Sequence, residues 1–149
     1  MALDRITLAR FRNHAATRLE ATGRLNLLVG ENGAGKTNVL EALSLLAPGR
    51  GLRRAALAEM AAAEGPGNFA VSAALYPEPA EGGDGGEPVM LGTGTAPERP
   101  NRRLVQVNGA DSSAVTLGEW LAVGWLTPAM DGLFAASAGE RRRYMDRLA

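Results

Sequence analysis

The chain has 149 residues, with no cysteine, one histidine, and 16 acidic residues balanced by 16 basic ones. This composition excludes disulfides, thiolate metal sites and cysteine nucleophiles, and a zero net charge gives no general attraction to nucleic acid. We find neither a signal-peptide core nor an apolar run of transmembrane length, so we expect a cytoplasmic protein that consists of one domain or belongs to a larger one.

Strands and a helix are predicted in the first third of the chain. Alternating apolar residues indicate strands over about 3–10 and around Thr17–Leu19, and the apolar run Leu25–Val29 indicates a third, buried strand. Apolar residues then recur at helical spacing, which predicts a helix over about 36–47 that Pro48-Gly49 ends. The alanine-rich stretch 55–64 predicts a further helix.

The rest of the chain combines strand and turn signals with shorter helices. Strands are expected over about 69–75, 89–91, 104–107 and 123–126. Residues 77–87 are rich in proline, glycine and acid and predict a loop, and Asn108-Gly109 predicts a hairpin turn. Thr116, with Glu119 three residues later, is typical of a capped helix start, and helices are also expected over about 128–134 and 140–148.

The only lysine, Lys36, lies in a segment that matches the phosphate-binding pattern G-x-x-x-x-G-K-[ST]. The predicted order of strand, glycine loop and helix is the context that this pattern requires. Glycine lets main-chain N–H groups turn toward phosphates, Lys36 would reach the β- and γ-phosphates, and the Thr37 hydroxyl would bind Mg²⁺. The predicted nucleotide-binding residues are Gly30, Glu31, Asn32, Gly33, Ala34, Gly35, Lys36 and Thr37.

The charge is segregated although it sums to zero. Acidic residues dominate 78–98, and arginines cluster at three places: Arg50, Arg53 and Arg54; Arg99, Arg102 and Arg103; and Arg141, Arg142, Arg143 and Arg147. Such clusters are usually solvated faces, and phosphate contact with nucleic acid is the alternative for each. On a helix, Arg141, Arg142 and Arg143 would point about 100° apart, so they would not all face one partner.

Four ordered blocks together resemble the RecF family of bacterial DNA-repair ATPases, which have ABC/SMC-like heads. The start Leu8–His14 is similar to the family's opening strand and its N-F-R-N-[YH] motif, with Arg10 in place of the first asparagine. Gly30–Ala42 is similar to G-x-N-G-x-G-K-T-N-x-L-E-A, and Gly49–Arg53 resembles G-R-S-x-R, with Gly51 in place of serine. The last block, 128–146, is similar to P-x-x-L followed by R-R-R-F-L-D.

The resemblance implies an α/β P-loop NTPase fold, namely lobe I of an ABC-type ATPase head with a small antiparallel β subdomain at about 68–110. It covers residues 1–149 as the N-terminal part of a typical member, so the head would be incomplete at its C-terminal side. By position, Arg12 and Asn38 would lie near the nucleotide phosphates.

The resemblance also implies a function in DNA replication, recombinational repair and the SOS response. The implied cofactors are ATP and Mg²⁺. The implied partners are DNA at single-strand/double-strand junctions, RecO, RecR and a second protomer joined by ATP. DNA contacts would come from Arg50, Arg53 and Arg54 and from Arg141, Arg142 and Arg143. We find no Walker B acid and no signature motif, so we expect the chain alone to hydrolyse ATP slowly at most.

Other functions share a P-loop and stay open on that motif alone. The ATP-binding subunit of an ABC-type transporter is one, a small-molecule kinase is another, and an interaction module without turnover is a third. A GTPase is disfavoured, because its N-K-x-D motif needs a lysine and the only one is Lys36.

Overall fold

A computed structural model of the chain describes residues 2–20, 25–76, 86–130, 132 and 137–146. The strands are β1 (Ala2–Phe11), β2 (His14–Leu19), β3 (Ala70–Tyr76), β4 (Val89–Ala96), β5 (Arg99–Val107) and β6 (Ala110–Asp111). The helices are α1 (Lys36–Ser44), α2 (Leu57–Met60), α3 (Leu117–Trp120) and α4 (Ala138–Met145), with a 3₁₀ turn at Pro128–Met130.

All six of these strands form one antiparallel sheet in the order β2-β1-β3-β4-β5-β6. Ile6 of β1 lies opposite Leu19 on one side and Ala73 on the other, which fixes the register at the centre. The strands of 68–110 therefore continue the same sheet as β1 and β2. The predicted turn at Asn108-Gly109 is confirmed: both residues have positive φ, 50° and 79°, and they join β5 to β6.

The core lies between one face of this sheet and α1. In β3 the residues of the core cluster recur at every second position, Val71, Ala73 and Leu75, because successive side chains alternate between faces. Val39 and Ala42 of α1 join the same cluster. The P-loop helix is thus held against the sheet by its apolar stripe, as its sequence period predicts.

The helix predicted over 55–64 is reduced to the four residues of α2. After Met60 the chain turns extended, with Ala61 at φ −66° and ψ 150°. Ala61 pairs with Phe11 in an isolated bridge, and the Ala62 N–H donates to the Arg10 carbonyl at 2.8 Å. Pairing with the end of β1 therefore overrides the helix propensity of the alanines.

The buried strand predicted at Leu25–Val29 is wrong for the described residues. No strand forms there, and Leu25, Leu27 and Val29 are 96%, 87% and 83% exposed. A strand needs a neighbour for its main-chain hydrogen bonds, and no described strand pairs with this segment. Only Leu28 packs partly against the core.

Two later expectations also change, and others fall outside the described residues. Val123–Leu126 forms no strand, and Leu126 is exposed. Thr116 precedes α3 but makes no capping bond, because its backbone is already helical and its hydroxyl pairs with that of Ser113 at 3.0 Å. The predicted loop at 77–87 and the ends of the two last helices fall largely outside the described residues. No helix in the described part is long and apolar enough to cross a bilayer.

Candidate functional site

The glycine loop delivers the chain into α1 with an open helix end. Gly35 occupies the N-cap position at φ 96°, a left-handed conformation that favours glycine, and no side chain caps the helix. The first turn of α1 carries no acidic residue. The partial positive charge of the helix end is therefore not neutralised by the protein, which is the arrangement that suits an anion.

Lys36 folds back over the loop that precedes it. Its Nζ donates to the carbonyls of Gly30 and Glu31, at 2.7 Å each. An ammonium has three donors, so one N–H of Lys36 is not used by these two bonds. Gly30 and Glu31 thus contribute to the site by placing the lysine.

Side chains at the turn between β1 and β2 support the glycine loop. His14 Nε2 lies 3.1 Å from the Gly35 carbonyl, and since a carbonyl only accepts, Nε2 carries the hydrogen. Asn13 donates to the Gly33 carbonyl at 3.3 Å and accepts from Asn38 Nδ2 at 2.8 Å. His14 therefore has a structural part in the site, since it holds the loop at Gly35.

The glycine loop and the start of α1 line a cavity of about 260 Å³. Its lining consists of Asn32, Gly33, Gly35, Lys36, Thr37, Asn38 and Arg53. Six of these seven are predicted nucleotide-binding residues. Ala34 lies exposed in the loop outside this lining. Arg53 is the addition, since the sequence places it among the candidates for DNA contact.

A buried ion cluster lies beside the cavity. The Glu41 carboxylate in α1 is 0% exposed and is bound by both Arg12 and Arg53. Arg12 also donates to the Glu59 carbonyl at 2.8 Å. The hydrogen bond with Glu41 raises the pKa of Arg12, and its partial burial opposes this. In this structure the Arg12 guanidinium forms an ion pair with Glu41. The predicted role of Arg12 at the nucleotide phosphates stays a prediction.

Arg103 holds the C-terminal end of the P-loop helix, a role that the sequence does not predict. Its guanidinium donates to the carbonyls of Leu45, Ala47 (3.2 Å) and Gly49 (2.7 Å), which follow α1. Its Nε donates to Thr93 Oγ1 at 2.9 Å. Burial lowers the pKa of Arg103. Cations are favourable at a helix C-terminus, so Arg103 joins β5 to the end of the P-loop helix. Its sequence spacing gives no signal of this contact.

The other candidates for DNA contact lie on the surface. Arg50 and Arg54 are exposed in the segment after α1, and Arg50 lines a second cavity, of about 390 Å³, with Arg103. Arg141 and Arg142 are exposed on α4, and the position of the Arg143 side chain is outside the described part. Of the arginines in this set whose side chains the structure describes, Arg53 alone lines the P-loop cavity.

Comparison with known proteins identifies the family. The AAA_23 family model, an AAA domain, matches residues 5–56. The DNA replication and repair protein RecF of Mesorhizobium japonicum is 49% identical over 148 residues, which cover 98% of this chain and 37% of that protein. RecF of Rhizobium leguminosarum bv. trifolii is 46% identical over 149 residues, 99% of this chain and 38% of that protein. The chain belongs to the RecF family. It therefore spans somewhat over a third of the length of these RecF proteins.

Solved structures agree with this placement. The recombination mediator protein RecF-ATP, in the RecFOR pathway, superposes with a TM-score of 0.73 at 26% identity, over 97% of this chain and 37% of that RecF. A chain studied for ATP-driven dimerization and DNA-stimulated activation of SMC ATPases gives a TM-score of 0.70 at 16% identity, with both chains fully covered. The predicted fold, an ATPase head shared by RecF and SMC proteins, is confirmed.

Proposed function

We propose that this chain binds ATP with Mg²⁺ as the nucleotide-binding part of a RecF-type DNA replication and repair protein. The observation behind the proposal is the cavity that combines Lys36, the main chain of the glycine loop and the uncapped N-terminus of α1. Among the described residues this lining contains no carboxylate, so no acidic side chain of the lining repels a polyphosphate. The related structure of RecF-ATP supports ATP as the nucleotide.

Each group has a part in holding the nucleotide. Lys36 would bind the β- and γ-phosphates with its unused N–H, or with an N–H released from the carbonyl of Gly30 or Glu31. Thr37 lines the cavity, and its hydroxyl is the kind of oxygen ligand that Mg²⁺ takes together with phosphate oxygens and water. The glycine loop supplies main-chain N–H groups around the phosphate chain.

The function of the whole protein extends this proposal. ATP binding would join two protomers and load them on DNA at single-strand/double-strand junctions, with RecO and RecR as partners, in cytoplasmic recombinational repair and the SOS response. The supports are the RecF relatives and the SMC neighbour studied for ATP-driven dimerization and DNA stimulation. On this proposal Arg50, Arg54, Arg141, Arg142 and Arg143 remain the candidates for DNA contact.

Because Lys36 is the only lysine, acylation can test nucleotide binding at a single side chain. We expect MgATP to slow acetylation of Lys36 several-fold, while the α-amine of the tested chain reacts at an unchanged rate and serves as the internal control. Lys36→Ala should weaken ATP binding by roughly 10- to 100-fold in calorimetry, the value of one charge-assisted hydrogen bond. Equal acetylation with and without MgATP, together with equal ATP affinity for Lys36→Ala, would contradict the proposal.

A further inference from the structure

The P-loop helix contains a fully buried acid. Glu41 lies one helical turn after Thr37, and its carboxylate is 0% exposed. A buried carboxylate is costly unless charged partners replace the lost water. Arg12 Nη2 lies 2.9 Å from Oε1, Arg12 Nε lies 3.0 Å from Oε2, and Arg53 Nη1 lies 2.9 Å from Oε2. Both carboxylate oxygens are therefore held by guanidinium N–H groups.

The two arginines are not equally committed to this acid. Arg12 binds Glu41 through two nitrogens and the Glu59 carbonyl through the third, and its side chain is 23% exposed. Arg53 uses Nη1 alone, which it shares between Glu41 and Asn38 Oδ1 at 2.8 Å, and it is 42% exposed. Arg12 therefore neutralises Glu41, and Arg53 brings the surplus positive charge of the cluster.

That surplus charge lies at the P-loop cavity. Arg53 lines it together with Lys36 and Thr37, and within the described residues its Nε and Nη2 make no hydrogen bond. A guanidinium presents its N–H groups as a rigid fork that matches phosphate oxygens. Glu41 and Asn38 hold one end of this fork, so its direction is fixed before any phosphate arrives.

We propose that Arg53 is a second cation for the nucleotide phosphates and that Glu41 is the positioning residue that holds Arg53 at the cavity. This inference rests on the proposed nucleotide binding and replaces the predicted DNA contact of Arg53. Glu41 also binds Arg12, which belongs to the turn between β1 and β2.

The test is ATP affinity, measured by calorimetry with MgATP on the full chain. Arg53→Gln should weaken binding by roughly 10- to 100-fold, the value of one charge-assisted hydrogen bond. Arg54→Gln is the matched control, because Arg54 is the exposed neighbour outside the cavity lining, and its affinity should stay within twofold of the parent. Arg53→Gln leaves the Arg12–Glu41 pair intact, so the variant should fold.

The positioning role is tested by a double-mutant cycle of Glu41→Gln with Arg53→Gln. A residue that acts through Arg53 should weaken ATP binding in the parent and add nothing once Arg53 is replaced. A purely structural Glu41 would instead lower the unfolding temperature and change ATP affinity equally in both backgrounds. If Glu41→Gln fails to fold, Glu41→Asp, which keeps the charge, takes its place in the same cycle.

The outcomes separate this inference from the proposed function. Unchanged ATP affinity in both Lys36→Ala and Arg53→Gln would overturn both. A loss in Lys36→Ala with none in Arg53→Gln would overturn the role of Arg53 alone. A loss in Arg53→Gln combined with additive effects of Glu41 would overturn the positioning role alone.

Discussion

Replacing Gly35 with alanine is expected to destabilise the chain far more than replacing Gly33, although both glycines have similar positive φ, 96° and 87°. For an L-residue the left-handed conformation costs about 1–2 kcal/mol at either position. A Cβ at Gly33 meets nothing within 4 Å. A Cβ at Gly35 lies 2.5 Å from His14 Nε2 and 2.6 Å from Asn13 Oδ1. The two positions therefore share the strain and differ in the clash.

The clash sets the size of the difference. To admit the Cβ, the side chains of Asn13 and His14 must move and lose the bonds His14–Gly35, Asn13–Gly33 and Asn13–Asn38. Three such bonds contribute about 0.5–1.5 kcal/mol each. We therefore expect Gly33→Ala to lower the free energy of unfolding by about 1–2 kcal/mol and Gly35→Ala by about 3–5 kcal/mol.

Urea denaturation of the full chain, monitored by circular dichroism, measures the loss of unfolding free energy in each variant. An m-value equal to that of the unsubstituted chain shows that the variants and the unsubstituted chain undergo the same unfolding transition. A background with Asn13→Ala and His14→Ala removes the clashing atoms, so there Gly35→Ala should cost no more than Gly33→Ala. Equal losses for the two glycines in the original background, within about 0.5 kcal/mol, would refute the claim that the β1–β2 turn supports the loop.

Two further predictions concern single arginines. Arg103→Met should lower the free energy of unfolding by about 2–4 kcal/mol in the same urea assay, because it removes the donor to partly buried carbonyls after α1. Arg102 is exposed, so Arg102→Met is the control and should change the free energy of unfolding by less than about 0.5 kcal/mol. Equal losses for the two variants would show that Arg103 does not hold the helix end. For DNA, Arg50→Ala should lower the slope of log affinity against log salt by about one unit when MgATP is present. Arg18→Ala, which removes a surface partner of Glu20, is the control and should leave that slope unchanged. A slope for Arg50→Ala equal to that of the unsubstituted chain would show that Arg50 does not contact DNA.

The sequence by itself determined the local parts of this protein. The glycine loop, the start of α1, the alternation of β3 and the turn at Asn108-Gly109 follow from backbone preference and side-chain period, which act within a few residues. The family blocks extend this to the ATPase head fold. Six of the seven residues that line the phosphate cavity follow from the P-loop pattern and the family block around it.

Only the tertiary structure decided which distant groups meet. In the sequence, Arg53 and Arg103 look like members of ordinary basic clusters. In the structure, Arg53 binds Glu41 beside the phosphate cavity, and Arg103 binds the carbonyls after α1. Charge patterns along a chain do not encode these partners, because contacts 12 and 54 residues apart depend on how the sheet and helix pack.

The wrong strand and the shortened helix have the same physical origin. An apolar run such as Leu25–Val29 indicates a preference for burial, but a strand forms only where a neighbouring strand accepts its hydrogen bonds. Conversely, the alanines after Met60 favour a helix, yet the end of β1 offers them main-chain partners and draws them into extended structure. Sequence sets the preference of each segment, and the available partner decides the conformation that it adopts.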